Sequence, residues 1–488
     1  MVPRMLRVQR RVEQLSRHLT SAPARPTIAG SDFFEIQRTS LTRGDAYRFL
    51  ISACVPRPIA FISTVGAAGV RNLSPYSFFN IVSTNPPTLA FGHVTRPHLP
   101  GGMSDTLRNL TETQSCVVQL ISKSFLEAAN HTCGAYDYDM DEITLAGLTA
   151  LRGDTVPCDR IAESAIQCEC ELERTHEIRN KDGVVSSTIC ILNVKAMHIN
   201  RGVLMEDMSD VDLEKIEPVG RLGGDTYGCT AGVVDAGPGS SLSAHLVRPP
   251  PFHGKAPNPN YKPGEKAIMP FSIEANDFAR FGPDDTRIGR YLTSAFVPRP
   301  SFIITTRSKS GESRMSCHSF LNGMGSDPLT LILGVQEASE TYRNLESTGE
   351  CVVHGMSASC FDFSRQHFSK ESKKVQTDEI GFRKGSGEHF TCVNESGDLE
   401  RLGESPLHIL CSLEKVYDIG SSRLCVLTVD TVFVHKSVYD RKGLEVQTEA
   451  FSPVSRLNLG RKFGQVANTF DLPRPNKDGS EGKLRFSK

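Results

Sequence analysis

The sequence lacks a long hydrophobic run and an excess of charge of either sign, and both absences exclude classes of protein. No window of about 18 apolar residues occurs. The most apolar stretch, residues 52–70, contains Arg57 and two prolines, so we expect no transmembrane helix and no membrane partner. Lysine and arginine total 55 against 56 aspartates and glutamates. Because nucleic-acid binding rests on excess positive charge, we expect no nucleic-acid partner.

The 14 cysteines include no Cys-x-x-Cys pair, so the paired spacing of zinc ligands is missing. Cys168 and Cys170 would point to the same side of a strand, too far apart for an easy disulfide. We predict reduced, mostly buried thiols in an intracellular protein, and no metal site. P-loops, His-Glu-x-x-His sites and Gly-x-Ser-x-Gly elbows are also absent, and no catalytic residue is predicted.

The first 30 residues differ from the rest of the chain. They contain six arginines, no lysine and a single acid, Glu13. An Arg-rich, acid-poor and amphipathic segment is typical of a mitochondrial transit peptide. A solvated N-terminal arm explains the same composition equally well. The predicted location is therefore cytoplasmic or mitochondrial.

The sequence contains an internal repeat. When residues 48–92 are placed over residues 290–334, 19 of 45 positions are identical without a gap. Both segments contain Val-Pro-Arg-Pro, and the similarity continues downstream, as in Thr-x-Arg-Asn-Leu at Thr106 and Thr341. The chain is therefore predicted to hold two copies of one domain of about 200 residues.

The repeat divides the chain into five predicted parts. The segment between the copies has eight prolines, which predicts an extended, semi-rigid linker. The parts are an Arg-rich arm or targeting segment (residues 1–30), a first copy (31–236), a Pro/Gly-rich linker (237–270), a second, degenerate copy (271–475) and a charged tail (476–488).

Within each copy the pattern is mainly β. In the first copy, residues 59–65 form an apolar run that ends at a Gly-Ala-Ala-Gly hairpin signal, and residues 116–121 form another short β-type run. Residues 105–112 and 124–130 are predicted to be helical, the first with Asp105 as its N-cap. Many short strands with few helices indicate a barrel with helical decoration.

Polar residues surround the repeated core of the first copy, on predicted strand ends and at a predicted helix start that carries Thr106 and Arg108. Hydroxyls and amides at strand ends, with backbone N–H groups and an arginine at a helix start, suit a phosphate and a hydrogen-bonding heterocycle. Turn and helix-cap roles in an ordinary barrel explain the same residue types.

Three motifs follow one another in the first copy: Pro-Arg-Pro-Ile-Ala from Pro56, Asn-Leu-Ser-Pro-Tyr-Ser-Phe-Phe-Asn from Asn72, and Asp-Thr-Leu-Arg-Asn from Asp105. Together they closely resemble the flavin reductase-like domain family, whose fold is the FMN-binding split barrel. The resemblance spans residues 45–230 and, more faintly, residues 285–473. It implies a mainly β fold with helices (α+β), in which two tandem FMN-binding split β-barrels form an intramolecular pseudo-dimer.

The resemblance also implies a function. Family members bind FMN between two barrels, take hydride from NAD(P)H onto it, and pass electrons to free flavin, an oxygenase or another acceptor protein. Stacking of nicotinamide on flavin needs no acid or base, because the cofactor carries the chemistry. The implied cofactor-binding residues are Arg57, Ser63, Thr64, Asn72, Ser74, Ser77, Phe78, Asn80, Asp105, Thr106, Arg108 and Arg221.

Some of these residues have structural alternatives. Arg57 would serve equally well in a structural salt bridge, and Arg221 in helix capping. Phe78 and Phe79 are adjacent on a predicted strand, so at least one of them should face the core. Ser104 stands where many relatives have a lysine, and Arg96 or His98 would then supply the charge for a phosphate.

The second copy departs further from the family pattern, with Arg314 in place of Asn72 and Glu340 in place of Asp105. We therefore expect one FMN site per chain, built mainly from the first copy, with the second copy as a degenerate partner. The alternative is a non-catalytic split-barrel scaffold or binding protein in which FMN binding is weak or lost.

Overall fold

The computed structural model describes residues 32–235, 252–253, 256–258, 260–358, 379–381, 399–458 and 462–476, together with residues 360, 480 and 483. The predicted Arg-rich arm lies outside the described residues. The same holds for residues 237–251 of the predicted linker and for most of the charged tail.

The described part of the first copy is built mainly of strands. They are β1 (Phe33–Gln37), β2 (Ala60–Val65), β3 (Arg71–Tyr76), β4 (Phe79–Thr84), β5 (Pro87–Val94), β6 (Ser115–Gln119), β7 (Ala150–Leu151), β8 (Arg160–Ile161), β9 (Ile166–Arg179), β10 (Val185–Asn200), β11 (Val219–Arg221) and β12 (Thr226–Asp235). Its α-helices are α1 (Arg43–Ala53), α2 (Asp105–Thr113), α3 (Leu126–His131), α4 (Glu142–Leu145) and α5 (Leu213–Ile216).

The described part of the second half repeats this pattern. Its strands are β13 (Phe252–His253), β14 (Phe278–Phe281), β15 (Arg299–Pro300), β16 (Phe302–Arg307), β17 (Ser313–His318), β18 (Leu321–Ser326), β19 (Leu329–Gln336), β20 (Glu350–Gly355), β21 (Glu379–Gly381), β22 (Leu407–Ile419), β23 (Ser422–His435), β24 (Tyr439–Asp440), β25 (Glu445–Val446), β26 (Val454–Arg456) and β27 (Lys462–Asp471). Its α-helices are α6 (Ile288–Ala295), α7 (Glu340–Thr348) and α8 (Thr448–Phe451).

The two copies have the same sheet topology. The first-copy sheet runs in the order β3-β2-β6-β9-β10-β5-β4, and the second-copy sheet in the order β17-β16-β20-β22-β23-β19-β18, with the additional strand β21 beside β17. Each strand of one list is the sequence counterpart of the strand at the same place in the other. The predicted hairpin after β2 is confirmed, because β2 and β3 pair antiparallel. The mainly β fold of two tandem split barrels is therefore confirmed.

Each copy receives the first strand of the other copy. Strand β1 pairs antiparallel with β23 of the second copy, and β14 pairs antiparallel with β10 of the first copy. A third sheet joins β11 and β12 of the first copy to β27, β26 and β15 of the second. The two barrels thus share sheets as well as a packed surface, as an intramolecular pseudo-dimer.

Backbone segments of the two copies approach each other closely at two equivalent glycines. A Cβ added to Gly92 would lie 2.5 Å from the carbonyl oxygen of Met324, and one added to Gly334 would collide with the carbonyl oxygen of Val82. Only glycine lets the two backbones pass at this distance. The hydrophobic core also crosses the boundary, because Leu50 belongs to the same buried cluster as Leu321 and Met324.

Within the predicted linker, the short strand β13 pairs with β27 of the second copy, and described residues after it contact the first copy. Tyr261 Oη donates to the carbonyl oxygen of Ala146 at 2.9 Å, and Lys266 Nζ donates to Thr149 Oγ1 at 3.0 Å. Among the described residues, no helix is long and apolar enough to cross a membrane. The described cysteines carry free thiols, and most of them are buried.

Candidate functional site

The polar residues predicted near the first-copy helix start form one hydrogen-bonded group, defined here as the first-copy polar cluster: Thr64, Asn72, Thr106 and Asn109. Asn72 Nδ2 donates to Thr64 Oγ1 at 3.0 Å and to Thr106 Oγ1 at 2.9 Å. Asn109 Nδ2 donates to Thr64 Oγ1 at 3.3 Å. All four side chains are buried. The cluster therefore presents hydroxyl and amide groups beside the N-terminal turn of α2, where the helix carries partial positive charge.

Regular secondary structure brings these four residues together. Thr64 and Asn72 are direct antiparallel partners on β2 and β3. Thr106 and Asn109 are three residues apart on α2, a spacing that puts both side chains on one face of the helix. Asn109 was not among the site residues predicted from the sequence, although its position three residues after Thr106 indicated that both side chains would share one face of the helix.

Helix α2 begins at Asp105, and its N-cap is Ser104, so the prediction of Asp105 as the N-cap was wrong by one residue. Ser104 Oγ accepts from Leu107 N at 3.5 Å, and it also lies 2.9 Å from Tyr76 Oη and 3.3 Å from His93 Nδ1. Burial lowers the pKa of His93 to about 4. The imidazole beside Ser104 is therefore neutral near pH 7.

The outer side of the cluster is covered by Arg108 and Tyr138. Arg108 forms an ion pair with Asp105, and its guanidinium lies 3.5 Å from the ring centroid of Tyr138. Tyr138 Oη donates to Asn109 Oδ1 at 3.1 Å. Among the described residues, Arg108 Nε is buried and has no hydrogen-bond partner. Tyr138 was not among the site residues predicted from the sequence.

Arg57 lies fully buried at the turn before β2. Its guanidinium donates to three backbone carbonyls, those of Ile51, Cys54 and Leu222. Burial lowers the pKa of Arg57 to about 10. These bonds tie α1 to the segment after β11, so a structural role is satisfied without a salt bridge. The predicted cofactor contact of Arg57 stays a prediction.

The predicted site residue Asn80 lies at the interface between the copies. Its Nδ2 donates to the carbonyl oxygens of Ser319 and Leu321, both at 3.0 Å. Its counterpart Asn322 donates to the carbonyl oxygens of Ser77 and Phe79, at 3.2 and 2.8 Å. Asn80 Oδ1 also accepts from the next backbone N–H in β4. The geometry gives Asn80 an interface role, and its contact with a cofactor stays a prediction.

The other predicted site residues from β2 to β4 lie in different surroundings. Phe78 lies in the bend before β4 rather than on a strand, and Phe79 is the first residue of β4. Both are buried, in different core clusters. Ser77 Oγ lies 3.4 Å from Arg57 Nε, and Ser74 is half-buried. Ser63 donates to the carbonyl oxygen of Asp159 and so points away from the polar cluster. The structure therefore does not bring all predicted residues to one point.

Arg221 lies at the end of β11 against an aromatic ring. Its guanidinium is 4.2 Å from the ring centroid of Tyr227, and its Nη2 lies 3.6 Å from a carboxylate oxygen of the buried Asp225. Tyr227 Oη donates to Asn130, whose Nδ2 donates to the carbonyl oxygen of Pro473. The C-terminal segment of the second copy thus reaches the first-copy side, which the sequence analysis did not foresee.

The second copy keeps part of the polar cluster and changes the rest. Asn344 Nδ2 donates to Thr306 Oγ1 at 3.2 Å, as Asn109 does to Thr64. Arg314 replaces Asn72 and forms an ion pair with Glu340 at 2.8 Å. At the start of α7 the ion pair between Arg314 and Glu340 therefore takes the place of the Asn72 amide at the start of α2.

A separate group, Asp154, Glu169 and His198, has the ligand types of a metal site. His198 Nε2 lies 2.9 Å from Glu169 Oε1, while Arg160 and Arg280 lie within 3.6 Å of the carboxylates. Burial alone would raise the pKa of Glu169, but hydrogen bonds from His198, Asp154 N and Thr155 lower it to about 2. The guanidinium groups of Arg160 and Arg280 thus lie against the negative charges of Asp154 and Glu169.

Fold and site together define a duplicated split-barrel protein with a polar cluster beside a helix start in its first copy. The chain belongs to the flavin reductase like domain family, whose model matches residues 52–211 and again residues 294–454. The chain is 34% identical over 189 residues to a protein of Halalkalibacterium halodurans, covering 39% of this chain and 88% of that protein. It is 31% identical over 191 residues to YwrF of Bacillus subtilis, covering 39% of this chain and 92% of YwrF.

Solved structures with a similar fold include nitrilotriacetate monooxygenase component B from Bacillus cereus. That protein is 31% identical, and the match covers 40% of this chain and 95% of the Bacillus chain, with a TM-score of 0.38. The matches to these three proteins each cover about the length of one copy.

Proposed function

We propose that this protein is a flavin-dependent oxidoreductase of the flavin reductase type, which takes hydride from NAD(P)H onto FMN. The observation that carries this proposal is the first-copy polar cluster, with its hydroxyl and amide groups beside a helix start. Bound FMN would supply the two-electron chemistry, so the chain needs no acid or base of its own.

The residues of the first copy suit such a cofactor. The backbone N–H groups at the start of α2, the hydroxyl of Thr106 and the guanidinium of Arg108 suit a phosphate group. Arg108 Nε is buried and has no hydrogen-bond partner among the described residues, so a change of side-chain rotamer would make this donor available to an anion. Thr64 and Asn72 suit the polar edge of a flavin ring.

The proposal includes a partner. Electrons leave the bound flavin for free flavin, for an oxygenase or for another acceptor protein. Cytoplasmic or mitochondrial location stays a prediction, because the N-terminal segment lies outside the described residues.

A second candidate function is that of a split-barrel scaffold without flavin chemistry. The specific observation in its favour is that the four residues of the polar cluster already satisfy one another by hydrogen bonds. Binding of a ligand there has to replace these bonds, and each replaced bond is worth about 1 kcal/mol net.

Flavin content separates the two functions. The purified full chain is denatured in acid, and the released flavin is identified as FMN or FAD by chromatography. Chain that arrives colourless is titrated with FMN, FAD and riboflavin under equilibrium dialysis. Flavin binding, followed by anaerobic bleaching with NADH or NADPH, supports the oxidoreductase. Chain that binds none of the three flavins is a scaffold, and the proposal is then wrong.

A further inference from the structure

The chain between α3 and α4 crosses the outer side of the first-copy polar cluster. Its residues 136–141 are defined here as the strap. The strap is attached at both ends, because Tyr136 Oη lies 3.0 Å from His131 Nε2 and the Asp141 carboxylate is paired with Arg71. The middle of the strap lies between these two attachments, over the cluster.

Tyr138 is the strap residue that contacts the cluster. Its ring centroid lies 3.5 Å from the Arg108 guanidinium, and its Oη donates to Asn109 Oδ1 at 3.1 Å. Tyr138 is half-buried, whereas its neighbours Asp137 and Asp139 are exposed. A single aromatic side chain thus contacts the arginine of the helix start and a member of the polar cluster.

Gly66, in the hairpin between β2 and β3, leaves space for this side chain. A Cβ added to Gly66 would collide with Tyr138 Oη and would lie 2.9 Å from Asn109 Oδ1. Only glycine allows the tyrosine hydroxyl to come this close to the hairpin backbone. The inward position of Tyr138 therefore depends on the hairpin as well as on the strap.

Tyr138 and Asp105 together hold Arg108 in its present rotamer. The guanidinium forms an ion pair with Asp105 and lies against the Tyr138 ring. In this rotamer Arg108 Nε is buried and has no hydrogen-bond partner among the described residues. An anion that accepts from this donor would recover the cost of leaving it unpaired. To turn towards such an anion, the guanidinium has to leave the ring.

The strap also brings negative charge to this side of the cluster. It carries Asp137, Asp139 and Asp141, of which Asp141 is paired with Arg71. A phosphate monoester has about two negative charges near pH 7, so carboxylates close to it repel it. Movement of the strap away from α2 would weaken this repulsion.

We propose that Tyr138 is a gate residue of the first-copy site: it competes with the phosphate group of a flavin for Arg108, and the strap moves away from α2 when that phosphate binds. This inference rests on the proposed function, because it takes the polar cluster as the flavin site. The contacts of Tyr138 have to break before Arg108 binds the phosphate, so they lower the affinity for FMN. Riboflavin has no phosphate group and does not compete with Tyr138.

Flavin affinities of the unmodified full chain and of Tyr138→Ala test the proposal. FMN and riboflavin are titrated separately by equilibrium dialysis. We expect Tyr138→Ala to bind FMN about tenfold more tightly, because a cation–π contact and a hydrogen bond no longer have to be broken. The affinity for riboflavin should stay the same. A folding defect would weaken the binding of both flavins, so it does not explain a gain for FMN.

Tyr417→Ala is the matched control. Tyr417 is also half-buried, lies 5.4 Å from the Arg174 guanidinium and has its Oη 2.8 Å from His176 Nδ1. It belongs to β22 of the second copy, outside the polar cluster. Its replacement should leave the FMN affinity unchanged.

A double variant tests whether the gate acts through Arg108. When Arg108 is already replaced, no guanidinium remains for Tyr138 to withhold from the phosphate. Arg108→Gln and Arg108→Gln/Tyr138→Ala should therefore bind FMN equally well. A tenfold gain that persists in the Arg108→Gln background would contradict the proposed competition.

Hydrogen exchange of the unmodified chain tests the movement of the strap. Met140 N donates to the carbonyl oxygen of Asp137 at 3.0 Å, so the strap contains an amide whose protection reports on its order. We expect the amides of residues 136–141 to exchange faster when FMN is bound, because the strap has lost its contacts with α2. Slower exchange would show that the strap closes on the flavin, and the gate would then be wrong.

The outcomes separate this inference from the proposed function. Equal FMN affinities of the unmodified chain and Tyr138→Ala would overturn the gate and leave the flavin site in place. A loss of FMN affinity in Tyr138→Ala would also overturn it and would make Tyr138 a contact of the flavin. FMN binding by neither protein would refute both. Tighter FMN binding by Tyr138→Ala without bleaching by NADH or NADPH would support the gate and contradict the oxidoreductase.

Discussion

At the scale of single residues, equivalent positions of the two copies carry different chemistry. In the first copy Gln119 and Gln167 are cross-strand partners on β6 and β9. The same register in the second copy holds His354 and His408, both completely buried. Among the described residues, neither histidine has a hydrogen-bond partner at Nδ1. Burial lowers the pKa of His408 to about 3 and that of His354 well below its usual range.

The buried histidine pair predicts that stability falls with acidification. The pKa of an unfolded histidine is about 6.5, so below that pH the unfolded chain binds protons that the folded chain does not. Stability is therefore complete above pH about 6.5 and falls by about 1.4 kcal/mol per pH unit for each histidine as the pH drops towards the folded pKa. In the double variant His354→Gln/His408→Gln, the urea midpoint should therefore decline less steeply between pH 7.5 and 5 than it does in the unmodified chain.

The exposed His98 provides the control, since His98→Gln should leave the pH dependence of the unmodified chain unchanged. Parallel declines in the double variant and the unmodified chain would show that the buried pair does not cause the acid sensitivity.

The two interface asparagines are predicted to contribute equally to stability. Asn80→Ala leaves two carbonyl oxygens of the second copy without their amide donor, and Asn322→Ala does the same to two of the first. An unsatisfied buried group costs about 1–3 kcal/mol, so each variant should lose free energy of unfolding in that range. Urea unfolding measures it. An unchanged midpoint in either variant would contradict the interface assignment.

At the scale of secondary-structure elements, the N-cap of α2 links stability to the candidate site. Ser104 caps α2, and Ser339 caps α7 in the same way. Ser104 also contacts Tyr76 and His93, which lie on β3 and β5. The first-copy cap therefore holds the helix start against the sheet as well as closing the helix.

Replacing these caps should lower stability in both copies and weaken flavin binding in one. Ser104→Ala and Ser339→Ala should each lose at least about 1 kcal/mol of unfolding free energy, because the cap hydrogen bond is lost. Ser104→Ala should lose more, because Tyr76 Oη and His93 Nδ1 lose a contact as well. Only Ser104→Ala should weaken FMN binding, since it loosens the helix start that carries Thr106. Dialysis against FMN measures the affinities. An equal loss of FMN affinity in both variants would place the flavin contact elsewhere.

Elements show where sequence reasoning succeeded and where it failed. The repeat and the β pattern of residues 59–65 predicted the duplicated sheet, because apolar runs with turn signals are local features. The exchange of β1 and β14 between the copies was not predictable, because the sequence of a short strand does not specify its partner. For the same reason the interface role of Asn80 was not predictable, because its residue type gives a hydrogen-bonding group and only tertiary structure gives its neighbours.

At the scale of the whole molecule, duplication within one chain allows the two copies to differ. Exchanged strands, a shared third sheet and close backbone contact at Gly92 and Gly334 keep both barrels in place. With the architecture held by these contacts, the first copy keeps Asn72 in its polar cluster, and the second copy changes to Arg314 with Glu340. The expected result is one flavin site, built mainly from the first copy.

A paired comparison of FMN affinities tests this central claim most directly. The full chain is titrated with FMN alongside two double variants, Thr106→Val/Arg108→Gln in the first copy and Thr341→Val/Arg343→Gln at the equivalent positions of the second. The account predicts about one FMN per chain, a marked loss of affinity in the first variant and little change in the second. Two FMN per chain, or equal losses in both variants, would contradict it.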